Sequence, residues 1–146
     1  MKIVKMNACH VSQVAELEQL CFSDPWSEKS VAGELENELA HWLVAVEEDA
    51  VAGYVGSQTV MDETDMMNLA VHPDYRRQGV AEALVLALVS DLKKRGSRCL
   101  ALEVRASNIP AQRLYEKMGF SIAGRRPRYY RNPREDALIL RKEWEI

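Results

Sequence analysis

Cysteine is scarce in this chain and unpaired: Cys9, Cys21 and Cys99 are odd in number, and no two of them form a CxxC motif. That excludes a disulfide framework and predicts reduced thiols. No stretch approaches the ~18 consecutive apolar residues that a membrane-spanning helix needs. The N-terminal MKIVKMNACHV also lacks the apolar core of a secretory signal, so a soluble, cytoplasmic chain with no membrane contact is expected. Neither GxGxxG nor GxxxxGKS/T occurs, and any bound phosphate must be held by another scheme. There is no GxSxG and no signal for a Cys/His pair, which leaves no candidate for a covalent acyl-enzyme. The histidines, His10, His41 and His72, are too widely spaced for HxxxH or HExxH, and no metal site is expected. Basic residues are nearly missing from one half. Residues 1–75 hold three Lys or Arg against fourteen Asp or Glu, and residues 76–146 hold sixteen against eight. The net charge of −3 therefore conceals balances of −11 and +8, a polarity that suits two kinds of partner. What is present is ordinary: 146 residues, 47% apolar and 28% charged, the make-up of a single globular domain over residues 1–146.

Periodicity gives the elements. Residues 2–6 read as a short strand, and Asn7 is placed to cap a helix whose apolar stripe is Val11, Val14, Leu17 and Leu20. SDPWSEKS forms a loop because Pro25 disfavours helix at Asp24, and Ser27 then caps a second helix running to about Leu39. HWLVAVEE and VAGYVGSQTV are strands about an acidic turn at Glu48 and Asp49, and MMNLAV is a third, ending at His72-Pro73. From Gly79 the period changes. Ala81, Leu84, Val85, Leu88 and Leu92 mark a helix, CLALEV a strand, and IPAQRLYEKM a helix closed by Gly119. FSIAG and DALILRKEW, separated by a turn at Asn132-Pro133, complete the order β-α-α-β-β-β-α-β-α-β-β. The strand–helix–strand unit across residues 64–104 requires a parallel pair and a right-handed crossover. The fold class is α/β of the α+β kind, with a mixed, mostly antiparallel twisted sheet flanked by helices.

Three stretches carry chemistry. LAVHPDYRRQGVAEALVLAL places a basic, glycine-bearing loop between a strand and a helix. The free N–H groups and dipole of the helix start would favour an anion there, with Arg76 and Arg77 adding charge; an ordinary capped helix with a solvated basic loop is the other reading. In LALEVRASN, alternation puts Ala101, Glu103 and Arg105 on one face of a strand expected to be covered on both faces. Glu103 then serves either as a general base or as a structural ion-pair partner of Arg105 or another cation. Asn108, Ala111 and Tyr115 share a helix face just beyond that strand. Tyr115 is either a core aromatic or a group that looks into a crevice at the carboxyl ends of the strands.

RRQGVA fits the pattern Q/R-x-x-G-x-G/A that marks the acetyl-CoA pyrophosphate loop of the GNAT acetyltransferases. With PWSEKS, LEVRASN, LYEKMGF and YYRNPREDALIL, the chain resembles, over nearly its whole length, the RimI-type N-terminal acetyltransferases, which acetylate the alanine α-amine of a small-subunit ribosomal protein. The resemblance implies a GNAT-like fold and acetyl-CoA as co-substrate. Leu69, Ala70 and Val71 would meet it through strand backbone, and Arg77, Gln78, Gly79, Val80, Ala81 and Glu82 would wrap its pyrophosphate. Asn108 would bond near the reactive end, Glu103 would be the general base and Tyr115 the general acid. Ala81 stands where many relatives have glycine, and Glu82 must point away from the phosphates or pair with a neighbouring arginine. The acceptor would be a ribosomal protein or other protein N-terminus, and Trp26, Tyr129 and Tyr130 would wall its groove. Direct nucleic-acid binding is not expected, RRPRYYR being read as part of the acceptor site, and the chain would be a monomer or weak dimer. The other readings are a GNAT enzyme for a small-molecule amine and a non-enzymatic CoA-binding module.

Overall fold

The seven expected strands and four helices follow one another in the expected order; the computed structural model describes residues 1–145. They are β1 (Lys2–Lys5), α1 (Val11–Cys21), α2 (Glu28–Gly33), β2 (Ala40–Glu47), β3 (Ala50–Val60), β4 (Glu63–Val71), α3 (Val80–Lys94), β5 (Cys99–Arg105), α4 (Ile109–Lys117), β6 (Ser121–Tyr130) and β7 (Glu135–Glu143). One sheet contains all the strands in the order β1-β2-β3-β4-β5-β7-β6. The β4/β5 pair is parallel and the other pairs are antiparallel, as a single α3 crossover dictates. Chain halves thus become sheet halves. The acidic residues 1–75 build β1–β4 with α1 and α2, the basic remainder supplies β5–β7, and the sign of charge changes at the β4/β5 seam. No helix among the described residues is long and apolar enough to cross a membrane.

Four local features depart from the periodicity. A 3-10 turn, Ala8–His10, precedes α1, with the Asn7 N–H donating to His10 Nδ1 at 2.9 Å. Within α1, Leu20 is exposed while Glu18 is wholly buried beside Val14 and Leu17. The α2 helix stops at Gly33 instead of running to Leu39. Ser27 does cap it, its Oγ accepting from Ser30 N at 3.0 Å, but the chain leaves through a 3-10 turn and an Asn37 side-chain turn onto Leu39 N. Finally, β6 runs on through RRPRYY to Tyr130. A polar, proline-bearing run of this kind is tolerated because β6 is an edge strand broken by register shifts.

Each face of the sheet has its own core. On one, Leu84, Leu88 and Leu92 of α3 pack with Leu100, Leu102, Val104, Tyr115 and Phe120. On the other, Val14, Val31, Trp42 and Tyr54 close α1 and α2 over β2–β4, and the corresponding face of β5, β7 and β6 carries no helix of that cluster. Trp42 lies parallel to Tyr54 at 5.8 Å, and Trp26 meets Trp42 edge-on at 5.3 Å. Gly56 is the cross-strand partner of Trp42, and a Cβ there would sit 2.4 Å from the indole. Gly56→Ala is therefore expected to lower the unfolding free energy by about 1–3 kcal/mol through overpacking. Urea denaturation checks this, with the midpoint moving at constant slope.

Candidate active site

The parallel seam is short. β4 and β5 pair only at Glu63–Cys99, Thr64–Leu100 and Asp65–Ala101, and beyond Asp65 the strands part. The cause lies on the other edge of β4. Its register against β3 passes from Ser57–Met66 to Gly56–Asn68, which leaves Met67 as an extra residue, and a bulge bends the strand that carries it. Past the bulge, His72 N donates to Ala52 O at 2.7 Å. Antiparallel alternation then turns the Ala70 N–H toward β3 and those of Leu69 and Val71 away from it, into the fork. Of the three strand residues expected at the acyl donor, Leu69 and Val71 offer backbone donors, whereas Ala70 is tied into the sheet with its side chain buried.

At the mouth of the fork α3 begins. Gly79 has φ 75°, so the turn demands glycine for its left-handed backbone rather than for space, since a Cβ would meet nothing within 4 Å. Arg77 shares the left-handed conformation at φ 63°. These two residues turn the chain so that the unpartnered N–H groups of Val80, Ala81 and Glu82 face outward. Gln78 holds the turn by donating to Asp74 O at 3.4 Å. Arg76 folds back instead, its guanidinium reaching Val71 O at 3.4 Å and Cys21 Sγ at 3.8 Å. Glu82 does not pair with an arginine: Lys117 of α4 takes it at 3.3 Å, which holds the carboxylate away from the helix start.

Glu103 and Tyr115 occupy opposite faces of the sheet. Leu102 and Val104 join the α3-side core with Tyr115, so alternation sends Glu103 to the other face, where β5 is not covered by a helix as the sequence had suggested. Its cation is Arg126 of β6, at 3.3 Å, not Arg105. Arg105 serves the β6–β7 turn: it donates to the carbonyls of Arg131 and Pro133 at 3.0 Å, pairs with Glu135 at 3.5 Å and lies 4.4 Å over the Tyr130 ring. Tyr129 and Tyr130 stand edge to face at 5.1 Å beside Glu103. The Glu103 carboxylate holds the Tyr129 phenol above its usual range, chiefly by accepting its hydrogen bond, with burial second. Burial, then Glu103, pushes Tyr130 up to about 12.

Tyr115 is buried, and its hydroxyl reaches Met66 Sδ, the first β4 side chain past the fork, at 3.8 Å. Burial first, and Tyr130 second, push its phenol up to about 12. Asn108 caps α4, its Oδ1 accepting from Ala111 N at 3.2 Å, and its amide N–H2 makes no hydrogen bond among the described residues. A carboxylate on one face and a phenol on the other thus belong to the part of the sheet where β4 and β5 no longer pair. Periodicity missed three groups in this region: Arg126, Asp65 at the apex of the fork, and Glu18. The last was legible, because Val11, Val14 and Glu18 fall at i, i+3 and i+7.

An opening through a sheet, with strand N–H groups along one side and a helix start at its mouth, suits an extended acyl carrier bearing phosphates, which defines an acyl-transfer class. Residues 11–120 match the Acetyltransferase (GNAT) family, and the chain belongs to it. It is 41% identical over 126 residues to the ribosomal protein bS18-alanine N-acetyltransferase of Escherichia coli (strain K12), covering 85% of this chain and 84% of that protein. A Bacillus subtilis (strain 168) protein that carries the same name provisionally is 43% identical over 131 residues, 89% of this chain and 87% of its own length. The crystal structure of the ribosomal-protein-S18-alanine N-acetyltransferase from Escherichia coli superposes with a TM-score of 0.91 at 37% identity, over 99% of this chain and 94% of that one.

Proposed function

We propose that this chain transfers the acetyl group of acetyl-CoA to the N-terminal α-amine of a protein, and that the acceptor is the N-terminal alanine of ribosomal protein bS18. The observation that carries this reading is the β4/β5 fork, with the N–H groups of Leu69 and Val71 turned into it and Glu103 and Tyr115 on either side. The names of the relatives at 41–43% identity support the acceptor. Val80, Ala81 and Glu82 donate backbone N–H to the pyrophosphate, with Arg77 and Gln78 beside it and Gly79 letting the backbone turn in. Leu69 or Val71 donates to the thioester oxygen as negative charge gathers there.

On the open face the acceptor amine attacks the thioester carbon. The C–N bond forms, the C–S bond breaks, and Glu103 takes the amine proton, directly or through one water. An α-amine with a pKa of about 7.7–8.0 is roughly 10–15% neutral at pH 7, so a carboxylate suffices where lysine, near 10.4, would need far more help. On the other face the sulfur departs toward Tyr115. With its phenol at about 12, outright proton transfer to a thiolate whose acid has a pKa of about 8.5 runs uphill, so Tyr115 acts as a hydrogen-bond donor to the leaving sulfur. Solvent then completes the thiol. Trp26, Tyr129 and Tyr130 border the groove by which the peptide end reaches Glu103.

Purified protein, acetyl-CoA and a panel of peptides beginning with Ala, Ser or Met, run beside small amines, test the reading. Mass spectrometry should find the acetyl group on the α-amine of the alanine-initiated bS18 peptide. Turnover confined to small amines would overturn the protein acceptor, and acetylation of other peptides with the bS18 sequence untouched would overturn the ribosomal one.

A further inference from the structure

We infer that Asp65 is a second acceptor-binding residue, which with Glu103 forms a two-carboxylate seat for the incoming α-ammonium. The inference rests on the acceptor reading above and adds a residue to it. Asp65 is the last β4 residue paired to β5, and its partner Ala101 lies two positions before Glu103. Paired residues share a face and alternation returns every second residue to it, so Asp65 and Glu103 look out on the same open face at the apex of the fork. The apex borders the gap where the thioester must lie, on the side from which an amine attacks.

The charges around it say why one carboxylate is not enough. Arg126 of β6 already neutralises Glu103 at 3.3 Å. Arg141 of β7, which sits in the same cross-strand row as Asp65 and Ala101, is engaged by Glu63 at 2.9 Å and Glu143 at 2.7 Å. Asp65 has no ion-pair partner among the described residues. Desolvation first, then the fields of Glu103 and Glu63, hold its carboxyl above the usual range against the pull of Arg141 and Arg126. A cation placed between Asp65 and Glu103 relieves that repulsion, and a primary ammonium has three N–H donors to divide between them while Glu103 receives the proton. Asp65 supplies the net negative charge that the Arg126-paired Glu103 lacks.

Steady-state kinetics with an alanine-initiated peptide, and calorimetry of that peptide on the CoA-loaded protein, test the assignment in Asp65→Asn and Asp65→Glu. Asp65→Asn should raise the peptide KM and Kd about tenfold, as expected for losing a hydrogen bond to a charged partner. The KM for acetyl-CoA should not move, and most of the loss should fall on peptide KM rather than kcat. Asp65→Glu should recover most of it, which a merely structural role would not predict. An unmoved peptide KM in Asp65→Asn, or a rise shared equally by acetyl-CoA, overturns the Asp65 assignment alone. A wild-type protein inert toward every peptide amine overturns the acceptor reading and this inference with it.

Discussion

Tyr115→Phe is expected to lower kcat about 100-fold and to leave the affinity for acetyl-CoA unchanged. Among the described residues the hydroxyl has one hydrogen-bond partner, the thioether of Met66 at 3.8 Å, a weak acceptor whose loss costs the fold little. The ring stays where it is, held edge to face by Phe120 at 5.4 Å inside the α3-side core. The variant should therefore unfold at the wild-type midpoint, and on the proposed mechanism what it loses is a donor to the leaving sulfur as charge builds on it. Such a donor acts on the transition state more than on the bound ground state, which is why the loss falls on kcat. Rapid-mixing kinetics, paired with calorimetric binding of acetyl-CoA, separates the two quantities.

The pH dependence distinguishes a donor from a titrating acid. With the phenol held at about 12 by burial and by Tyr130, Tyr115 is protonated throughout the accessible range. The ratio of wild-type to Tyr115→Phe turnover should be flat between about pH 6 and 9, and any alkaline fall in wild-type activity must survive in the variant. A ratio that collapses toward unity within that range would mean that the phenol loses its proton there, against the burial that surrounds it. Equal turnover of the two proteins would remove Tyr115 from the chemistry altogether.

The sequence made the element order legible because each element has its own period and punctuation. Gly79 and Gly119 stand at positive φ where the helices begin and end, and Leu84, Leu88 and Leu92 line one face of α3. The left-handed glycine turn before α3 and the alternation of β5 were legible for the same reason, since both are local. What stayed hidden depends on contacts across the sheet. The bulge at Met67 exists only relative to β3, and without it nothing in MMNLAV says that β4 must leave β5. The pairing of Glu103 with Arg126 depends on β6 lying beyond β7, a strand order that no local pattern encodes. The place of Asp65 at the apex of the fork is visible only once it is known where the parallel seam ends. The charge polarity was visible as arithmetic, and it gained physical meaning once the chain halves proved to be the sheet halves.

Glu18→Leu is expected to destabilise the protein by about 3–5 kcal/mol, the cost of stripping the partner from a set of buried donors. Glu18 is wholly buried and three donors converge on it. Trp26 N reaches one oxygen at 2.8 Å, while Asn68 Nδ2 at 2.6 Å and the Tyr54 hydroxyl share the other. Leucine fills the volume and leaves all three unpaired. Glu18→Gln should cost far less, because Asn68 can present its amide oxygen and the Tyr54 hydroxyl can rotate to accept, so that every group keeps a partner. Burial raises the Glu18 carboxyl above its usual range despite the bonds from Trp26 and Asn68. The folded state therefore holds this proton more tightly than the unfolded chain does. Relative to Glu18→Gln, the wild type should gain stability as pH falls through the raised folded value, levelling off below the ordinary carboxylate range, and lose that gain as pH rises again. Chemical denaturation of the three proteins across that window reads both effects. The network also joins the α1–α2 loop, through Trp26, to β4 one residue before Leu69. Whatever folded Glu18→Leu remains should bind acetyl-CoA at the start of α3 yet show a raised KM for peptide. A leucine variant with wild-type stability and wild-type peptide KM would show that neither the fold nor peptide binding depends on this buried carboxylate.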